Sequence, residues 1–301
     1  MDSGGDDTAW DDRNPRDLGL RAWAGARANK RVWRSPLSAP SALGGVALKV
    51  ALLVPRVTAD RTANLDRAEQ MAADAATSGA ELVLLPEAVL TGLINNDDPA
   101  HDLPLGQSVP GPATERLGAV ARLHSLWVGF GLLERAGDYL YDSAVLIAPD
   151  CSVALRYRRN QPQWHGIDAD AAIYRQGTSI EVTRTPIGNV GFLICGDLFD
   201  DALVARFRAF GPDLLLFPFA RCFPDGSADQ ARWDAEEMPE YARQVASVGA
   251  PTLMTNYVGD PDIEECPSFG GAFAVSARGE VVASLPLGVE GILLVDLDRL
   301  V

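Results

Sequence analysis

Three residues far apart in the sequence carry side chains that could together attack a carbonyl carbon. Cys195 offers a thiol, Glu87 a carboxylate and Arg159 a fixed positive charge. A thiolate is a strong nucleophile, a partly desolvated carboxylate can act as a base, and a cation stabilises developing negative charge. Taken one at a time, each residue also has an ordinary structural explanation: a buried thiol closing a strand, a loop or helix-capping acid, and a solvated arginine.

Both Glu87 and Cys195 follow apolar stretches that indicate buried strands. The stretch ELVLLPE ends at Glu87, and residues 190–194 precede Cys195. In α/β folds, ligand sites form at the carboxyl ends of such strands. A helix starting after Cys195 would present backbone N–H groups that favour a thiolate. Gly196 would let a substrate approach and offer its N–H to an oxyanion, and Asp197 is predicted to cap the helix or anchor the turn.

The surrounding sequence mixes buried strands with amphipathic helices, which is typical of an α/β fold. Helices are predicted over residues 62–78, 112–125, 198–209 and 231–248. About twelve short apolar stretches indicate strands, too many for one ordinary sheet. Two sheets packed face to face, with helices covering each outer side, would bury all of these stretches.

Order is predicted over residues 46–301, as one domain, after an extension over residues 1–45. The extension lacks apolar periodicity, so we expect it to be mobile, although its tryptophans could also dock an arm on the domain or on a partner subunit. The net charge of −15 argues against nucleic-acid and membrane partners. No window resembles a transmembrane helix or a signal peptide, so a cytoplasmic location is expected.

The four cysteines and three histidines show no metal-ligand spacing, so no metal or other cofactor is predicted. No two cysteines form a Cys-x-x-Cys pair. A disulfide framework is not expected in a chain of this size without a leader. Each cysteine is therefore predicted to be a reduced, packed thiol.

From Lys49 onward the chain resembles the nitrilase, or carbon–nitrogen hydrolase, superfamily. The matching stretches follow the family's order over about 250 residues, and they are ELVLLPEAVLTG, WVGFGLLER, YLYDSAVLIAPD, LRYRR, VGFLICGDLFDD, PDLLLFPF, TNYVGD and the final GEVVAS and ILLVDLD. The resemblance implies a four-layer α-β-β-α sandwich with a Glu–Lys–Cys triad. In that triad the Cys attacks a nitrile, amide or carbamoyl carbon, the Glu moves the proton and the Lys steadies the tetrahedral intermediate. By this resemblance Cys195 is the nucleophile and Glu87 the base.

The third member of the triad departs from the family pattern. Family members read YRK where this sequence reads YRR, so Arg159 stands in the place of the lysine. The only lysines are Lys30, in the extension, and Lys49, at the first buried strand, and neither can substitute. Arginine keeps the positive charge but essentially never releases a proton. The proton for a leaving amine would then come from Glu87 or from water.

The loop after Arg159 and the region near residue 220 supply candidates for substrate contact. Many family members have a second Glu in this loop, where this sequence offers only Asp168 and Asp170. Either aspartate could orient a water or the nucleophile. The other candidates also have core packing or surface exposure as an alternative explanation, and they are Trp164, His165, Phe219 and Cys222.

The resemblance implies a hydrolase of a non-peptide C–N bond in a small amide or carbamoyl molecule. It would work through a Cys thioester and assemble as a homodimer. Two alternatives stay open. An amine could replace water at the same thioester, which would give acyl transfer or amide formation. Arg159 and the missing second Glu also leave open a catalytically silent, nitrilase-like binding protein.

Overall fold

The computed structural model describes residues 31–34 and 48–300. Two mixed β-sheets stack face to face and helices cover their outer sides, so the predicted four-layer sandwich is confirmed. Within the predicted extension, residues 31–34 form an edge strand, which the sequence pattern did not indicate. Residues 1–30 and 35–45 lie outside the described residues, and the mobility of the extension stays a prediction.

The larger sheet has seven strands. In spatial order they are β1 (Arg31–Arg34), β13 (Gly291–Asp296), β2 (Lys49–Val54), β3 (Leu82–Leu84), β4 (Trp127–Ala136), β5 (Tyr139–Ile147) and β6 (Val153–Arg158). β2, β3 and β4 are parallel, whereas β5 and β6 continue the sheet as antiparallel neighbours. β6 therefore runs in the same direction as β3, and the carboxyl ends of these two strands lie at the same edge of the sheet.

The smaller sheet has six strands. In spatial order they are β12 (Val281–Leu285), β11 (Ala272–Val275), β10 (Thr252–Thr255), β9 (Leu214–Pro218), β8 (Gly188–Phe192) and β7 (Val182–Thr185). β8, β9 and β10 are parallel at its centre. Its loops at the carboxyl ends of β8 and β9 contain the thiol and the backbone beside it.

The helices lie close to their predicted positions. On the larger sheet α1 (Arg61–Thr77) and α3 (Pro112–His124) match the predicted ranges within one residue, and α2 (Pro99–Asp102) is a single turn in the loop between them. On the smaller sheet the predicted helix over 198–209 is divided into a 3₁₀ turn (Cys195–Phe199) and α4 (Asp201–Ala209). The last predicted helix contains α5 (Gln230–Arg232), a π-helical turn (Trp233–Glu237) and α6 (Met238–Val248).

Alternation along the strands divides the apolar side chains between the layers. On β2, Val50, Leu52 and Val54 join the core between the two sheets, whereas Ala51 and Leu53 join the core under α1 and α3. Because successive side chains of a strand point to opposite faces, a strand that is apolar throughout is buried on both. The continuous hydrophobic runs in the sequence therefore indicate a sheet covered on each side.

Candidate active site

Glu87, Arg159 and Cys195 each lie just beyond the carboxyl end of a strand: β3, β6 and β8, respectively. Folding brings them together. Arg159 Nη1 lies 2.9 Å from Glu87 Oε1, and a negative charge on Cys195 acts on the pKa of both groups. Because β3 and β6 belong to one sheet and β8 to the other, the site joins the strand ends of both sheets.

Glu87 is fully buried. The backbone at Glu87 packs closely against Gly131 of β4. A Cβ on Gly131 would lie 2.5 Å from the Glu87 Cα, so only glycine at residue 131 permits this close approach. The pKa of Glu87 is raised to about 8, first by burial and then by a negative charge on Cys195, and the opposing effect of Arg159 offsets only part of this. A carboxyl group with such a pKa can both accept and return a proton near neutral pH.

Arg159 is buried together with its partners, and its side chain is only 3% exposed. Its Nη1 donates to Glu87 Oε1 and lies 3.4 Å from Asp142 Oδ2. Burial by itself lowers the pKa of Arg159, but the negative charges on Cys195, Glu87 and Asp142 together raise it above its usual value. The guanidinium is therefore a permanent positive charge held in a water-poor site, where its electrostatic effect is strong.

Asp142, on β5, is a member of the site that the sequence analysis missed. Its side chain is fully buried, and the backbone N–H of Arg159 donates to its carbonyl oxygen at 2.8 Å. Burial raises the pKa of Asp142 well above its usual range, and the neighbouring carboxylate of Glu87 raises it further. A signal was present: Asp142 occupies the same face of the strand as Leu140 and Ala144, so an acid interrupts a buried apolar row.

Cys195 begins the 3₁₀ turn that follows β8, and its backbone has a conformation that residues other than glycine seldom adopt. Its φ is 45°, and Ala88, which directly follows Glu87, has a φ of 44°. Non-glycine residues held in this region cost about 1–3 kcal/mol, and such strain is often found at active sites. The Cys195 thiol is partly exposed, and its Sγ lies 3.6 Å from the carbonyl oxygen of Ala220.

Gly196 is required by the close approach of the arginine. A Cβ at this position would lie 2.7 Å from Arg159 Nη2 and 3.6 Å from Gln163 Oε1. Any side chain at residue 196 would therefore displace the guanidinium from its place beside Cys195. The donation of the Gly196 N–H to an oxyanion stays a prediction.

Asp197 connects the turn after β8 to the end of β6. Its fully buried carboxylate accepts from the backbone N–H groups of Ile194, Asn160 and Gln161 and from the hydroxyl of Tyr157. The contact with Ile194 anchors the turn that contains Cys195, while the two contacts after Arg159 fix the loop beyond it. The cap of α4 is provided by Asp200 instead.

A cavity of about 780 Å³ reaches the backbone next to the thiol, although Glu87, Arg159 and Cys195 do not themselves line it. Its lining includes Ala220, whose carbonyl oxygen contacts the Cys195 sulfur, and it extends past Arg221, Asn95 and Tyr257. This volume is within the range of small-molecule sites. A second cavity, of about 800 Å³, follows the outer edge of β6, and none of the three candidate catalytic residues lines it.

The four residues predicted to contact substrate in the loop after Arg159 differ in their exposure to solvent. Trp164 is buried against Ala88, and its indole Nε1 has no hydrogen-bond partner among the described residues. His165 packs edge-on against Trp164, with ring centroids 4.9 Å apart, and is partly exposed. Asp168 and Asp170 are exposed, and Asp170 accepts from the backbone N–H of Ala172. Substrate contact by these four residues stays a prediction.

Phe219 and Cys222 have clear structural partners. Phe219 is fully buried and stacks on Phe217 and Trp233 in the core. Cys222 forms a disulfide with Cys266, so the prediction that every cysteine is a reduced thiol is wrong for this pair. The loops after β9 and before β11 fold against each other and bring the two Cα atoms to 5.8 Å, a proximity that the sequence separation of 44 does not reveal.

The disulfide lines the cavity beside the thiol. Of the described cysteines, Cys151 and Cys195 are free. Residues 31–34 and 48–300 contain no group of three or more His, Cys, Asp or Glu side chains arranged to hold a metal ion. In the same part of the chain, every helix is too short or too polar to cross a bilayer.

A four-layer sandwich that gathers a thiol, a buried carboxyl group and a buried cation at its strand ends has the architecture of the nitrilase superfamily. The family model for carbon–nitrogen hydrolases matches residues 49–301, and the chain belongs to this family. Family membership and its nitrilase relatives support carbon–nitrogen hydrolase activity.

Individual relatives are distant but cover most of the chain. Nitrilase 1 of Arabidopsis thaliana is 27% identical over 274 residues, which span 79% of this chain and 75% of the relative. The fold is similar to a carbon–nitrogen hydrolase from Helicobacter pylori G27, with a TM-score of 0.72 and 22% identity over 84% of this chain and 90% of that one. It is also similar to a mutant amidase from Nesterenkonia sp. AN1 that shows Michael addition of acrylamide at its active-site cysteine, with a TM-score of 0.68 and 23% identity over 83% and 92% of the two chains.

Proposed function

We propose that this protein hydrolyses a non-peptide C–N bond in a small amide or carbamoyl compound, through a thioester on Cys195. The observation that supports this best is the buried ion pair of Glu87 and Arg159 beside the thiol. Burial gives Glu87 a pKa of about 8, which suits a group that moves a proton in both directions. The Cys195 sulfur lies 3.6 Å from the carbonyl oxygen of Ala220, a residue that lines the cavity.

In the first half of the proposed reaction the thiol attacks the substrate carbon. Glu87 accepts the proton of Cys195, and the sulfur forms a bond to the carbonyl carbon. The oxygen of the tetrahedral intermediate takes up negative charge, which the Arg159 guanidinium and the Gly196 N–H stabilise. Glu87 then returns its proton to the nitrogen, the C–N bond breaks, and ammonia or an amine leaves a thioester behind.

In the second half water takes the place of the amine. Glu87 accepts a proton from the water as its oxygen bonds to the thioester carbon. The resulting intermediate expels the Cys195 sulfur, which regains a proton from Glu87, and a carboxylic or carbamic acid is released. Throughout both halves Arg159 supplies charge and no proton, because a guanidinium essentially never deprotonates.

The silent-protein alternative is less well supported by the geometry. Arg159 does not extend into solvent. It is held between two carboxyl groups, and Gly196 leaves room for its second nitrogen. Acyl transfer would use the same residues with an amine in place of water, and product analysis with and without added amine distinguishes it from hydrolysis.

Turnover of a panel of small amides, carbamoyl compounds and nitriles tests the proposed function. Release of ammonia or amine and of the acid would be measured for wild type, Cys195→Ala and Cys151→Ala. We expect Cys195→Ala to reduce turnover by roughly 10⁴-fold or more, as for other nucleophiles. Cys151→Ala, which removes the other free thiol, should leave turnover within about threefold, as expected for a substitution away from the site. Undiminished turnover by Cys195→Ala would disprove the proposal.

The resemblance to the family also suggests a homodimer in the cytoplasm, and both stay proposals. Sedimentation or light scattering across a range of protein concentrations would measure the mass. A mass of one chain at all concentrations would contradict the dimer.

A further inference from the structure

The buried charges around Arg159 do not balance if every acid is ionised. One guanidinium faces two carboxyl groups, Glu87 and Asp142, and the side chains of all three are at most 3% exposed. Both acids use the same nitrogen, Nη1, at 2.9 and 3.4 Å. A second buried negative charge without its own cation is costly in a water-poor site, so neutrality favours a proton on one of the two acids.

The hydrogen bonds indicate which acid retains that proton. If both acids are ionised, Glu87 Oε2 and Asp142 Oδ1 are buried without a hydrogen-bond partner among the described residues. A hydrogen bond between the two side chains lowers the pKa of Glu87 and raises that of Asp142. A proton on one acid would let that acid donate a hydrogen bond to the other, which two ionised carboxylates cannot do. Glu87 has the shorter contact with Arg159, so the negative charge is better stabilised on Glu87 and the proton on Asp142.

We propose that Asp142 is a permanently protonated carboxyl group that donates a hydrogen bond to Glu87 and thereby stabilises the ionised form of Glu87 that acts as the base. This inference rests on the proposed function of Glu87 and Cys195. Asp142 is a positioning residue, because it acts through Glu87. Glu87 alone would move the proton of Cys195, while the Asp142 proton remains in place throughout the cycle.

The pH dependence of Cys195 alkylation tests this assignment without knowledge of the substrate. Iodoacetamide would be reacted with the intact protein, and peptide mass spectrometry would give the rate at Cys195 separately from that at Cys151. In each reaction the sulfur displaces iodide and its proton passes to Glu87, so the rate should fall as Glu87 becomes protonated at low pH. The midpoint of that fall reports the ionisation of Glu87 together with the thiol.

Two substitutions at Asp142 give opposite expectations for the two protonation states. Asp142→Asn retains a donor in the same place, so the midpoint should stay within about half a pH unit of wild type. Asp142→Ala removes the donor, so the midpoint should rise by about one to two pH units, the effect of losing one hydrogen bond to a charged group. If Ala does not fold, Asp142→Val, which suits a strand, replaces it.

An ionised Asp142 would give a different result. Removing a negative charge next to Glu87 would lower the midpoint in both the Asn and the Ala variant, and that outcome overturns the proposal. A midpoint unchanged in every variant, with only thermal stability reduced, would show a merely structural residue and overturns it as well. Failure of the proposed function looks different, because in wild type Cys195 would then be alkylated no faster than Cys151 and with the same pH midpoint.

Glu134→Gln is the matched control. Glu134 is a buried carboxylate on β4 that pairs with Arg158, the neighbour of Arg159, on the other face of the sheet. Its removal should leave the alkylation midpoint where it is in wild type.

Discussion

Arg158 and Arg159 are neighbours at the end of β6, yet they belong to two ion clusters with different ratios of acids to cations. Arg158 donates two hydrogen bonds to Glu134, at 2.9 and 2.6 Å. Arg156 and the hydroxyl of Ser143 also contact the same carboxylate. In this cluster one acid has two cations, both of its oxygens are paired, and the two arginines are partly exposed to water.

The cluster around Arg159 has the reverse composition. One cation, with only 3% of its side chain exposed, faces the two acids Glu87 and Asp142. Arg159 Nε and one oxygen of each acid lack a hydrogen-bond partner among the described residues when both acids are ionised. The pKa of Glu87 and that of Asp142 are both raised, chiefly by burial.

The contrast separates an ion cluster with satisfied charge from one with unbalanced charge, and β4, β5 and β6 contribute to this difference side by side. Around Glu134 the contacts satisfy the charge, so the cluster can hold β4, β5 and β6 together. Around Arg159 the two acids share one cation and are fully buried, and this burial, with the negative charge on Cys195, raises the pKa of Glu87 to about 8, which is typical of groups at functional sites. Adjacent residues on a strand point to opposite faces, so the chain can build both clusters from neighbouring positions.

The largest difference is expected when each cluster loses a carboxylate. Glu87→Gln should lower kcat/KM by about 10³-fold or more, because it removes the proposed base. Glu134→Gln should change kcat/KM by less than about threefold, while lowering the free energy of unfolding by about 1–3 kcal/mol. Steady-state kinetics and denaturant titrations measure these effects. Equal losses of activity in the two variants would contradict the division between the clusters.

The second-largest difference in kcat/KM is expected between lysine substitutions at the two arginines. Arg159→Lys should lower kcat/KM by about 10²-fold, because a single ammonium cannot pair with Glu87 and lie above Gly196 at the same time. Arg158→Lys, which retains charge beside Glu134, should lower it by no more than about threefold. Turnover of both variants on one substrate makes the comparison. A lysine at residue 159 that creates activity absent from wild type would instead favour the silent-protein alternative.

A smaller effect is expected from pH. Because the ionised form of Glu87 is the proposed base and its pKa is about 8, kcat/KM of wild type should rise with pH until this value is passed. Below it, the value should fall about tenfold for each pH unit. Glu134→Gln should show the same profile. A pH-independent kcat/KM between pH 5 and pH 9, at constant ionic strength, would be inconsistent with a buried carboxyl base.

Much of this arrangement was predictable from local sequence. Apolar runs ending at Glu87 and just before Cys195 indicate buried strands, and family resemblance supplies their order and the position of Arg159. The four-layer sandwich follows from strands that are apolar on both faces. Helix boundaries were predicted well where a clear apolar face and caps were present, as in α1 and α3.

Features that depend on distant contacts were not predictable in the same way. The role of Asp142 requires knowing that its face of β5 points toward Arg159, and the disulfide requires two loops 44 residues apart to meet. Phe219 lies in an aromatic cluster that only the packing of β9 against α6 defines, and its contact with substrate stays a prediction. The side chain of Arg159 could equally have extended into solvent until its burial was known.

Capture of the acyl group on Cys195 tests the central claim most directly. An amide that is turned over would be mixed with the protein, quenched in acid within the time of one turnover, and digested for peptide mass spectrometry. The account predicts the mass of the acyl group on the peptide containing Cys195, absent in Cys195→Ala and present in Cys151→Ala. Turnover with no adduct on Cys195, or with the acyl group on another residue, would contradict it.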